Sequence, residues 1–409
     1  MSAEYFLIGG AGAMGRITLR DLFETAAPDS KIWVLERDLK AAQAVVSEIE
    51  RVSRRKGKRP ALLAQAFDLL EETQKKTSRP PQSKVATRTP SVSRVMIQSA
   101  PYALNLLAMK LALAWRAHYV DLGGLFHMTR KQLKLHRAFA RAGCTAILGM
   151  GAAPGITNLL AAWGAQQFDR LESIQIRVAG VDRSRYRDLP ALSVSYSLKT
   201  ILQEFSLKPA VFTRGKFRFV EPMSGAHEEH FPAPIGVRRP MWTLHSEVAT
   251  LPLSFKKKGV REVDFKIAFD ETFVDRVRFL RDLGFASDAP IAVGGVSVRP
   301  IDVVDWVAMH QKPAKRTGPL KQVEVVRAIL RGKCAGKKVT RVLDCRTEGM
   351  PAWGIGIDID TGSPPSVAAQ FLMRNRYPAG VFAPEVILDP VEFFDDLARR
   401  KMIVTQKEI

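Results

Sequence analysis

A glycine-rich turn near the N-terminus carries the clearest chemical signal in this sequence. An apolar run beginning at Tyr5 opens into a G-x-G-x-x-G pattern. The residues of this turn are Gly10, Ala11, Gly12, Ala13, Met14 and Gly15. In such a turn the first glycine permits the bend, the second admits a pyrophosphate, and the third lets the helix pack on the strand. Free N–H groups at the helix start attract phosphates, so the pattern predicts a phosphate-binding turn.

An acidic residue after the second apolar run extends this prediction to a dinucleotide. Glu36 follows residues 32–35 and comes about 20 residues after Gly15, where an acid meets an adenosine ribose. A lone glycine motif is weak evidence, and the alternative is an ordinary turn in an unrelated βαβ unit. The Glu36 carboxylate repels a 2′-phosphate and favours NAD as the cofactor. The neighbouring Arg37 would attract that phosphate, so NADP remains the alternative.

Two further segments are candidates for cofactor contacts. Residues Ser99, Ala100, Pro101 and Tyr102 follow a predicted fourth strand, whose carboxyl end faces the cofactor crevice of a doubly wound sheet. The alternative is a plain strand-to-helix turn. Asp68 ends the third predicted strand, where it would contact the adenine or its ribose, or simply cap a helix.

Acid–base chemistry is predicted from three residues. Asp121 ends another predicted strand, where a carboxylate would hold or deprotonate a cationic amine; the alternative is a loop hydrogen bond. His245 and Glu247 alternate along a predicted strand and therefore share one face. Such a pair suits acid–base work or ammonium binding, and the alternative is an exposed polar face.

Candidate substrate-binding residues are Asn158, Arg238 and Arg239. Asn158 opens a predicted helix after Pro154-Gly155 and would orient the substrate or the nicotinamide carboxamide; the alternative is first-turn hydrogen bonding. Arg238 and Arg239 would bind a carboxylate through the guanidinium fork, or contribute only surface charge. No metal is predicted, because no set of ligands has suitable spacing.

The order of elements predicts an α/β fold with two kinds of sheet. Strands are predicted over 5–9, 31–35, 64–67, 94–98 and 118–121, and helices over 14–24, 39–51, 103–114 and 129–142. This alternation is typical of a doubly wound parallel sheet of the Rossmann type. Residues 72–93 are predicted to be irregular. After Asp169, strands over 173–181, 211–220, 263–269, 293–298, 322–331 and 337–345 and helices over 195–205, 272–283 and 301–310 predict an α+β lobe with a mixed sheet.

Composition excludes several classes of protein. The 409 residues are 46% hydrophobic, enough for two or three lobes with a sizeable core. No apolar run is long enough to cross a bilayer, and no membrane partner or leader peptide is predicted. Three scattered cysteines indicate a reducing, cytoplasmic location. The net charge of +21 suggests anionic partners. Because aromatic interleaving is missing from the basic segments, we interpret the charge as a basic surface and do not expect nucleic acid as a partner.

Several sequence blocks in a fixed order resemble the saccharopine dehydrogenase family, which includes lysine 6-dehydrogenase-like and carboxynorspermidine-forming enzymes. The blocks are GGAGAMGR (9–16), SAPYALNL (99–106), AHYVDLGG (117–124), AILGMGAAPGITNLLA (146–161), FPAPIGVRRP (231–240), LHSEVATLP (244–252), TGSPPSVAAQFL (361–372) and APEVILDP (383–390). The resemblance covers nearly the whole chain.

The resemblance implies a domain plan and a reaction. It implies a Rossmann domain over 1–124, a catalytic and dimerising domain over 125–355, and a segment over 356–409 that returns to the first domain. It also implies a homodimer that moves a hydride between NAD(P) and the C–N carbon of an amino acid or an amino-acid-derived secondary amine or imine. Lys110 stands where saccharopine reductases carry a functional lysine; the alternative is a solvated helix lysine.

One departure from the family pattern bears on the substrate. Saccharopine enzymes usually carry an aspartate before a Pro-Gly pair, and here Ala153 precedes Pro154-Gly155. This puts saccharopine itself in doubt as the substrate. The alternative function is a catalytically inactive, cofactor-sensing or nucleic-acid-associated Rossmann protein, which the positive charge motivates.

Overall fold

The computed structural model describes residues 3–75, 78–81, 94–192, 194 and 197–409. The chain forms two compact units. The first unit comprises Met1–Ala162 and Asp358–Arg399, and the second comprises Trp163–Ile357 and Arg400–Ile409. Within the described ranges, no helix has the length and apolar character needed to cross a bilayer.

Strands and helices alternate along the first part of the chain and mix along the second. The strands are β1 (Glu4–Ile8), β2 (Lys31–Glu36), β3 (Ala61–Ala66), β4 (Arg94–Gln98), β5 (His118–Asp121), β6 (Thr145–Ile147), β7 (Arg170–Asp182), β8 (Tyr186–Arg187), β9 (Ala210–Thr213), β10 (Lys216–Phe219), β11 (Glu229–Phe231), β12 (Gly236–Arg238), β13 (Met241–Trp242), β14 (Glu262–Ala268), β15 (Ile291–Val293), β16 (Val296–Val298), β17 (Lys315–Arg316), β18 (Gln322–Cys334), β19 (Lys337–Thr347), β20 (Gly380–Phe382) and β21 (Met402–Glu408). The helices are α1 (Ala13–Thr25), α2 (Leu39–Val52), α3 (Leu69–Gln74), α4 (Asn105–Ala114), α5 (Leu125–Leu133), α6 (His136–Ala142), α7 (Ile156–Gln166), α8 (Leu198–Ser206), α9 (Glu247–Ser254), α10 (Glu271–Asp282), α11 (Pro300–Met309), α12 (Ile359–Gly362), α13 (Pro364–Arg374), α14 (Pro384–Ile387) and α15 (Pro390–Arg399).

The first unit is built on a seven-stranded sheet in the order β20-β6-β5-β4-β1-β2-β3. Every neighbouring pair in it is parallel. Its central strands are continuous apolar runs because helices cover both faces; Phe6 and Leu7 of β1 are fully buried. The predicted doubly wound parallel sheet is confirmed. The carboxyl ends of β1, β2 and β4 therefore meet at one edge of this sheet.

The second unit is built on a mixed sheet. Its main path runs β10-β9-β14-β7-β18-β19-β21, and β13 also pairs with β14. Strands β14 and β7 are parallel, whereas β7, β18, β19 and β21 pair antiparallel along the path. The predicted α+β lobe with a mixed sheet is confirmed. A separate apolar cluster packs around helix α8, including Leu198, Ile201, Leu202 and Phe205.

Several predicted elements differ from the observed ones. The strand predicted over 211–220 is the hairpin β9–β10, because Arg214 and Gly215 both adopt positive φ, 50° and 76°. The strand predicted over 293–298 is the hairpin β15–β16, which turns at Gly294 and Gly295. The helix predicted over 129–142 is two helices, and the first of them, α5, begins at Leu125, four residues before the predicted start.

The units divide the chain differently from the predicted domains. The first unit continues past residue 124 to Ala162. Residues 358–399 join it, with β20 as the edge strand next to β6. Residues 400–409 belong to the second unit, because β21 pairs with β19. Positions 76–77 and 82–93 of the predicted irregular segment, and positions 195–196 of the predicted helix, lie outside the described residues.

Candidate functional site

The turn between β1 and α1 bends one residue earlier than predicted. Gly9, rather than Gly10, has the left-handed φ of 80°. A Cβ on Gly9 would lie 2.6 Å from the backbone nitrogen of Ala100, so the β1 and β4 ends can approach this closely only with glycine there. Gly10 instead packs against Val34, whose Cγ1 would lie 2.9 Å from an added Cβ.

The two later glycines differ in what surrounds them. A Cβ on Gly15 would lie 2.0 Å from the Gly9 carbonyl oxygen, so α1 packs directly against the end of β1. A Cβ on Gly12 would meet only that same oxygen, at 3.3 Å, within a 4 Å radius. Gly12 and Ala13 are exposed. The turn therefore leaves open space in front of the start of α1.

The start of α1 provides donors for an anion. Among the residues that the structure describes, no side chain caps this helix, and its first turn contains no acid. Unsatisfied N–H groups at the start of a helix bind phosphate. Ala13 and Met14 form the first helical positions. The open space at Gly12 and these donors fit the pyrophosphate of NAD(P).

Glu36 lies beside the same turn. Its Oε1 accepts a hydrogen bond of 2.6 Å from the N–H of Ala11, and burial raises the pKa of Glu36. The residue is the last of β2, next to β1 in the sheet. A carboxylate here can accept a ribose hydroxyl. Arg37, the next residue, is exposed.

The loop after β4 also fits a coenzyme. Ser99 donates its N–H to the Ile8 carbonyl over 2.9 Å, extending the β1–β4 pairing. The hydroxyl of Ser99 and Oε1 of Gln98 are buried and have no partner among the described residues. Pro101 is exposed and Tyr102 is half-buried. Buried polar atoms are normally paired, so this edge has unused hydrogen-bonding capacity beside the glycine turn.

Two predicted site residues make hydrogen bonds within the first unit. Asp68 caps α3, accepting from the N–H groups of Leu70 at 2.8 Å and Glu71 at 3.2 Å. Asn158 is buried; its Oδ1 accepts from the Gly155 N–H at 3.0 Å, and its Nδ2 donates to Glu385 at 2.8 Å. The Asp68 contacts support the capping alternative, and the bond between Asn158 and the Gly155 N–H supports the first-turn alternative.

Asp121 is a fully buried hydrogen-bond acceptor. The carboxylate accepts five hydrogen bonds of 2.6–3.2 Å, three at Oδ2 and two at Oδ1. The donors are the side chains of Asn105, Tyr119 and Gln132 and the backbone N–H groups of Gly123 and Gly149. Burial raises the pKa of Asp121 even though these bonds favour the charged form. All five hydrogen bonds to the Asp121 carboxylate come from groups of this chain. The geometry therefore does not support the predicted proton transfer with a substrate amine.

Three basic candidates receive little support from their positions. Lys110 is exposed on α4. Arg239 is also exposed, and the Arg238 guanidinium donates to the carbonyl of its neighbour Val237 at 3.0 Å. These positions match the surface alternatives. Within the described part of the chain, no group of three or more His, Cys, Asp or Glu side chains is arranged to hold a metal ion.

His245 and Glu247 form a pair, though not on a strand. Strand β13 ends at Trp242 and Glu247 opens α9, so the strand prediction is wrong. His245 Nδ1 is hydrogen-bonded to Glu247 Oε2, and Glu247 is fully buried. The imidazole stacks on Phe265 with centroids 3.8 Å apart. Burial lowers the pKa of His245, but the charges of Glu247 and Glu204 and the hydrogen bond outweigh it, and the pKa is raised.

Sequence reasoning missed Glu204. This residue lies on α8 with the apolar face that packs into the second unit, and it is buried. Burial and the charge of Glu247 raise the pKa of Glu204 to about 7, although the charge of His245 opposes the shift. Its sequence signal was weak because one acid on an amphipathic helix is normally solvent-exposed.

Both parts of the chain match one family. Residues 6–147 match the saccharopine dehydrogenase NADP binding domain, and residues 151–403 match the saccharopine dehydrogenase C-terminal domain. The chain belongs to the saccharopine dehydrogenase family. The predicted family, and with it an NAD(P)-dependent oxidoreductase of this class, is confirmed. The alternative of an inactive cofactor sensor or nucleic-acid-associated protein is not favoured.

Named relatives of this family are distant in sequence. A carboxynorspermidine synthase from Vibrio alginolyticus is 21% identical over 406 residues, 95% of this chain and 93% of that protein. A carboxyaminopropylagmatine dehydrogenase from Synechocystis is 22% identical over 63% of this chain and 64% of that protein. An apo saccharopine dehydrogenase (L-Glu forming) from Saccharomyces cerevisiae has the same fold, with a TM-score of 0.67 at 16% identity and full coverage of both chains.

Proposed function

We propose that this saccharopine dehydrogenase-family enzyme interconverts a secondary amine and an imine derived from an amino acid or a polyamine precursor. The observation that carries the proposal is the glycine turn, open at Gly12 and bordered by Glu36. Two relatives named for carboxylated polyamines rather than for saccharopine support the substrate class. Ala153, in place of the usual aspartate, agrees with a substrate other than saccharopine.

The glycine turn and the β4 loop would hold the coenzyme. The N–H groups at Ala13 and Met14 would bind the pyrophosphate, while Ser99 and Ala100 would approach the nicotinamide ribose. When bound, the nicotinamide supplies or accepts the hydride. Glu36 would accept the ribose hydroxyl, which favours NAD although the matching domain is named for NADP.

The His245–Glu247 pair would exchange the proton. An amine can lose a hydride from its C–N carbon only after its nitrogen has lost a proton, because the nitrogen lone pair must form the new C=N bond. Neutral His245 would accept that proton, and Glu247 would stabilise the imidazolium that forms. Water then adds to the imine carbon and releases a carbonyl compound and an amine. In the reverse direction the imidazolium protonates the nitrogen as the imine is reduced.

A paired binding and turnover experiment tests this proposal. Purified protein is titrated with NADH and NADPH by calorimetry. It is then incubated with NADH or NADPH and pairs of a carbonyl compound with lysine, another amino acid or a polyamine precursor, and separately with the oxidised coenzymes and saccharopine, while the nicotinamide absorbance is followed. We expect binding of at least one coenzyme and oxidation of it with an amine–carbonyl pair. A folded protein that binds neither coenzyme would contradict the proposal.

The family resemblance also supports a homodimer, and the three free cysteines support a cytoplasmic location, because structural disulfides form in oxidising compartments. Light scattering at several protein concentrations measures the molar mass and so tests the homodimer; a monomer at every concentration would contradict it. Localisation of a tagged full-length chain in cells tests the cytoplasmic location; export from the cell would contradict it.

A further inference from the structure

The hairpin β15–β16 exposes apolar side chains on both of its strands. Ile291, Val293 and Val296 are 50%, 57% and 62% exposed, and the chain turns at Gly294 and Gly295. In the part of the chain that the structure describes, these two strands pair only with each other. Because a two-stranded hairpin without cover is marginally stable in water, its apolar side chains are suited to a less polar environment.

Helix α11 extends this apolar surface. It begins at Pro300, two residues after β16 ends, and its buried Ile301 packs into the apolar cluster around α8. Val303, Trp306 and Val307 have the spacing of one helix face and are 41%, 62% and 52% exposed. Folded proteins rarely expose a contiguous apolar patch unless it binds a partner, so the hairpin and this helix face indicate an interaction surface.

A basic ribbon follows α11. Strands β8 and β17 pair antiparallel, with Arg187 directly opposite Lys315. Residues 183–187 and 312–321 carry seven Lys or Arg and no Asp or Glu, and all seven basic residues are exposed. Since like charges on neighbouring strands repel each other, a bound anion would stabilise the ribbon.

The acidic side chains near this surface offset only part of its charge. Asp302 and Asp305 on α11 both accept hydrogen bonds from Lys199. Asp182, next to the ribbon, accepts hydrogen bonds from the chain around it. Asp188 is exposed after the last residue of β8. The seven exposed basic residues therefore leave the ribbon positively charged.

The combination of aliphatic and basic side chains indicates what kind of partner fits. A nucleic acid would bind the ribbon but offers no apolar phase for the hairpin. A second copy docked on the same surface would place two basic ribbons against each other, which their charges oppose. An anionic bilayer takes up aliphatic side chains and Trp at its interface and attracts Lys and Arg to its headgroups.

We propose that the hairpin β15–β16, the outer face of α11 and the basic ribbon dock the enzyme on an anionic lipid bilayer. The apolar side chains enter the headgroup region, and the ribbon binds lipid phosphates. The prediction of no membrane partner considered only spanning segments, and a peripheral surface of this kind needs none. The proposal goes beyond the oxidoreductase function and does not depend on the coenzyme.

Cosedimentation with lipid vesicles tests the proposal. The full chain is mixed with vesicles of phosphatidylcholine alone, or of phosphatidylcholine with about 30% phosphatidylglycerol. We expect wild type to bind the anionic vesicles and to bind the neutral ones about tenfold more weakly. We also expect binding to fall steeply as salt rises from about 0.05 M to about 0.5 M, because salt screens exposed charges.

One pair of variants tests the ribbon. We expect K315Q/R316Q to weaken binding to the anionic vesicles about tenfold. The control is K256Q/K257Q, which removes the same charge from two exposed lysines elsewhere on the second unit and should bind close to wild type.

A second pair tests the hairpin. We expect V293S/V296S to weaken binding to the anionic vesicles about tenfold, because two aliphatic side chains no longer leave water. The control is V386S/V391S, at valines of the first unit that are 56% and 52% exposed, and it should bind close to wild type.

Three results would overturn the inference. The first is a wild type that binds neither kind of vesicle, or ribbon and hairpin variants that bind as their controls do. The second is tighter binding to a DNA duplex than to the anionic vesicles, weakened by K315Q/R316Q, which would assign the ribbon to nucleic acid. The third is a lower oligomeric state of folded V293S/V296S by light scattering, which would assign the hairpin to a second copy. The wild-type comparison of the two kinds of vesicle decides even where a variant does not fold.

Discussion

Two buried carboxyl groups, Asp121 in the first unit and Glu204 in the second, have opposite surroundings. Asp121 accepts five hydrogen bonds from its own chain, whereas Glu204 receives none from the described residues. Both pKa values are raised by burial, so a raised pKa alone does not show how many hydrogen bonds a buried carboxyl group accepts. Five donors fill the acceptor positions of Asp121, which therefore has little capacity left for a ligand.

The comparison first predicts a large loss of stability for D121N. An asparagine turns one acceptor oxygen into an NH₂ group that faces existing donors, leaving buried N–H groups unpaired. We expect unfolding to become easier by about 4 kcal/mol, measured by urea denaturation. D395N, at an exposed position of the same unit, should change stability little. A loss for D121N as small as that of D395N would contradict the structural role.

Glu204 should instead affect the pH dependence of stability. Its folded pKa of about 7 lies above its ordinary value of 4.5, so the folded state binds more protons between these values. The free energy of unfolding then falls as pH rises through that window, by on the order of 3 kcal/mol. His245 changes stability in the same direction and remains in both proteins. We expect E204Q to lose much of this pH dependence relative to E221Q, a substitution at an exposed glutamate of the same unit, measured by denaturation at about pH 5 and pH 8. Parallel pH profiles would show that Glu204 is not buried as described.

Features of the fold that depend on contiguous residues could be predicted from the sequence, whereas those that depend on contacts between distant segments could not. The parallel sheet could be predicted because strands such as β1 and β2 are continuous apolar runs, and the glycine turn is a contiguous motif. The shift of the bend from Gly10 to Gly9 could not, because it depends on the approach of Ala100 from the loop after β4.

The site residues show the same division. The donors of Asp121 come from α4, β5, α5 and two loops, a combination that only the fold assembles. His245 and Glu247 could be recognised as a pair from their spacing, but on the wrong element. Glu204 could not be recognised, because its burial depends on helices and strands distant in sequence.

A substitution at Gly12 in the glycine turn should weaken coenzyme binding without destabilising the fold. In G12A the new Cβ would meet only the Gly9 carbonyl oxygen, at 3.3 Å, so the fold should tolerate it while the methyl group occupies space needed by the pyrophosphate. We expect coenzyme affinity to fall about tenfold, or about 1.4 kcal/mol, with little change in Tm. G318A, where an added Cβ has no neighbour within 4 Å, is the control. Unchanged NADH and NADPH affinity in folded G12A would remove this turn from the binding site.

The smallest of the predicted effects is that of a Glu36 substitution on the preference between NADH and NADPH. E36A removes the carboxylate that accepts the ribose hydroxyl and repels a 2′-phosphate. We expect the ratio of NADPH to NADH affinity to rise severalfold, by about 1 kcal/mol. E50A, at an exposed position on α2, should leave the ratio unchanged. The same ratio in E36A and E50A would exclude Glu36 from ribose recognition.

Transfer of deuterium from the nicotinamide tests the central claim most directly. The enzyme is incubated with NADH or NADPH that carries deuterium on one face of nicotinamide C4, together with the amine–carbonyl pair that supports turnover, and the product is analysed by mass spectrometry and NMR. With coenzyme labelled on the transferred face, the account predicts one deuterium atom on the carbon of the new C–N bond. Coenzyme oxidation without deuterium at that carbon, for either labelled face, would contradict it.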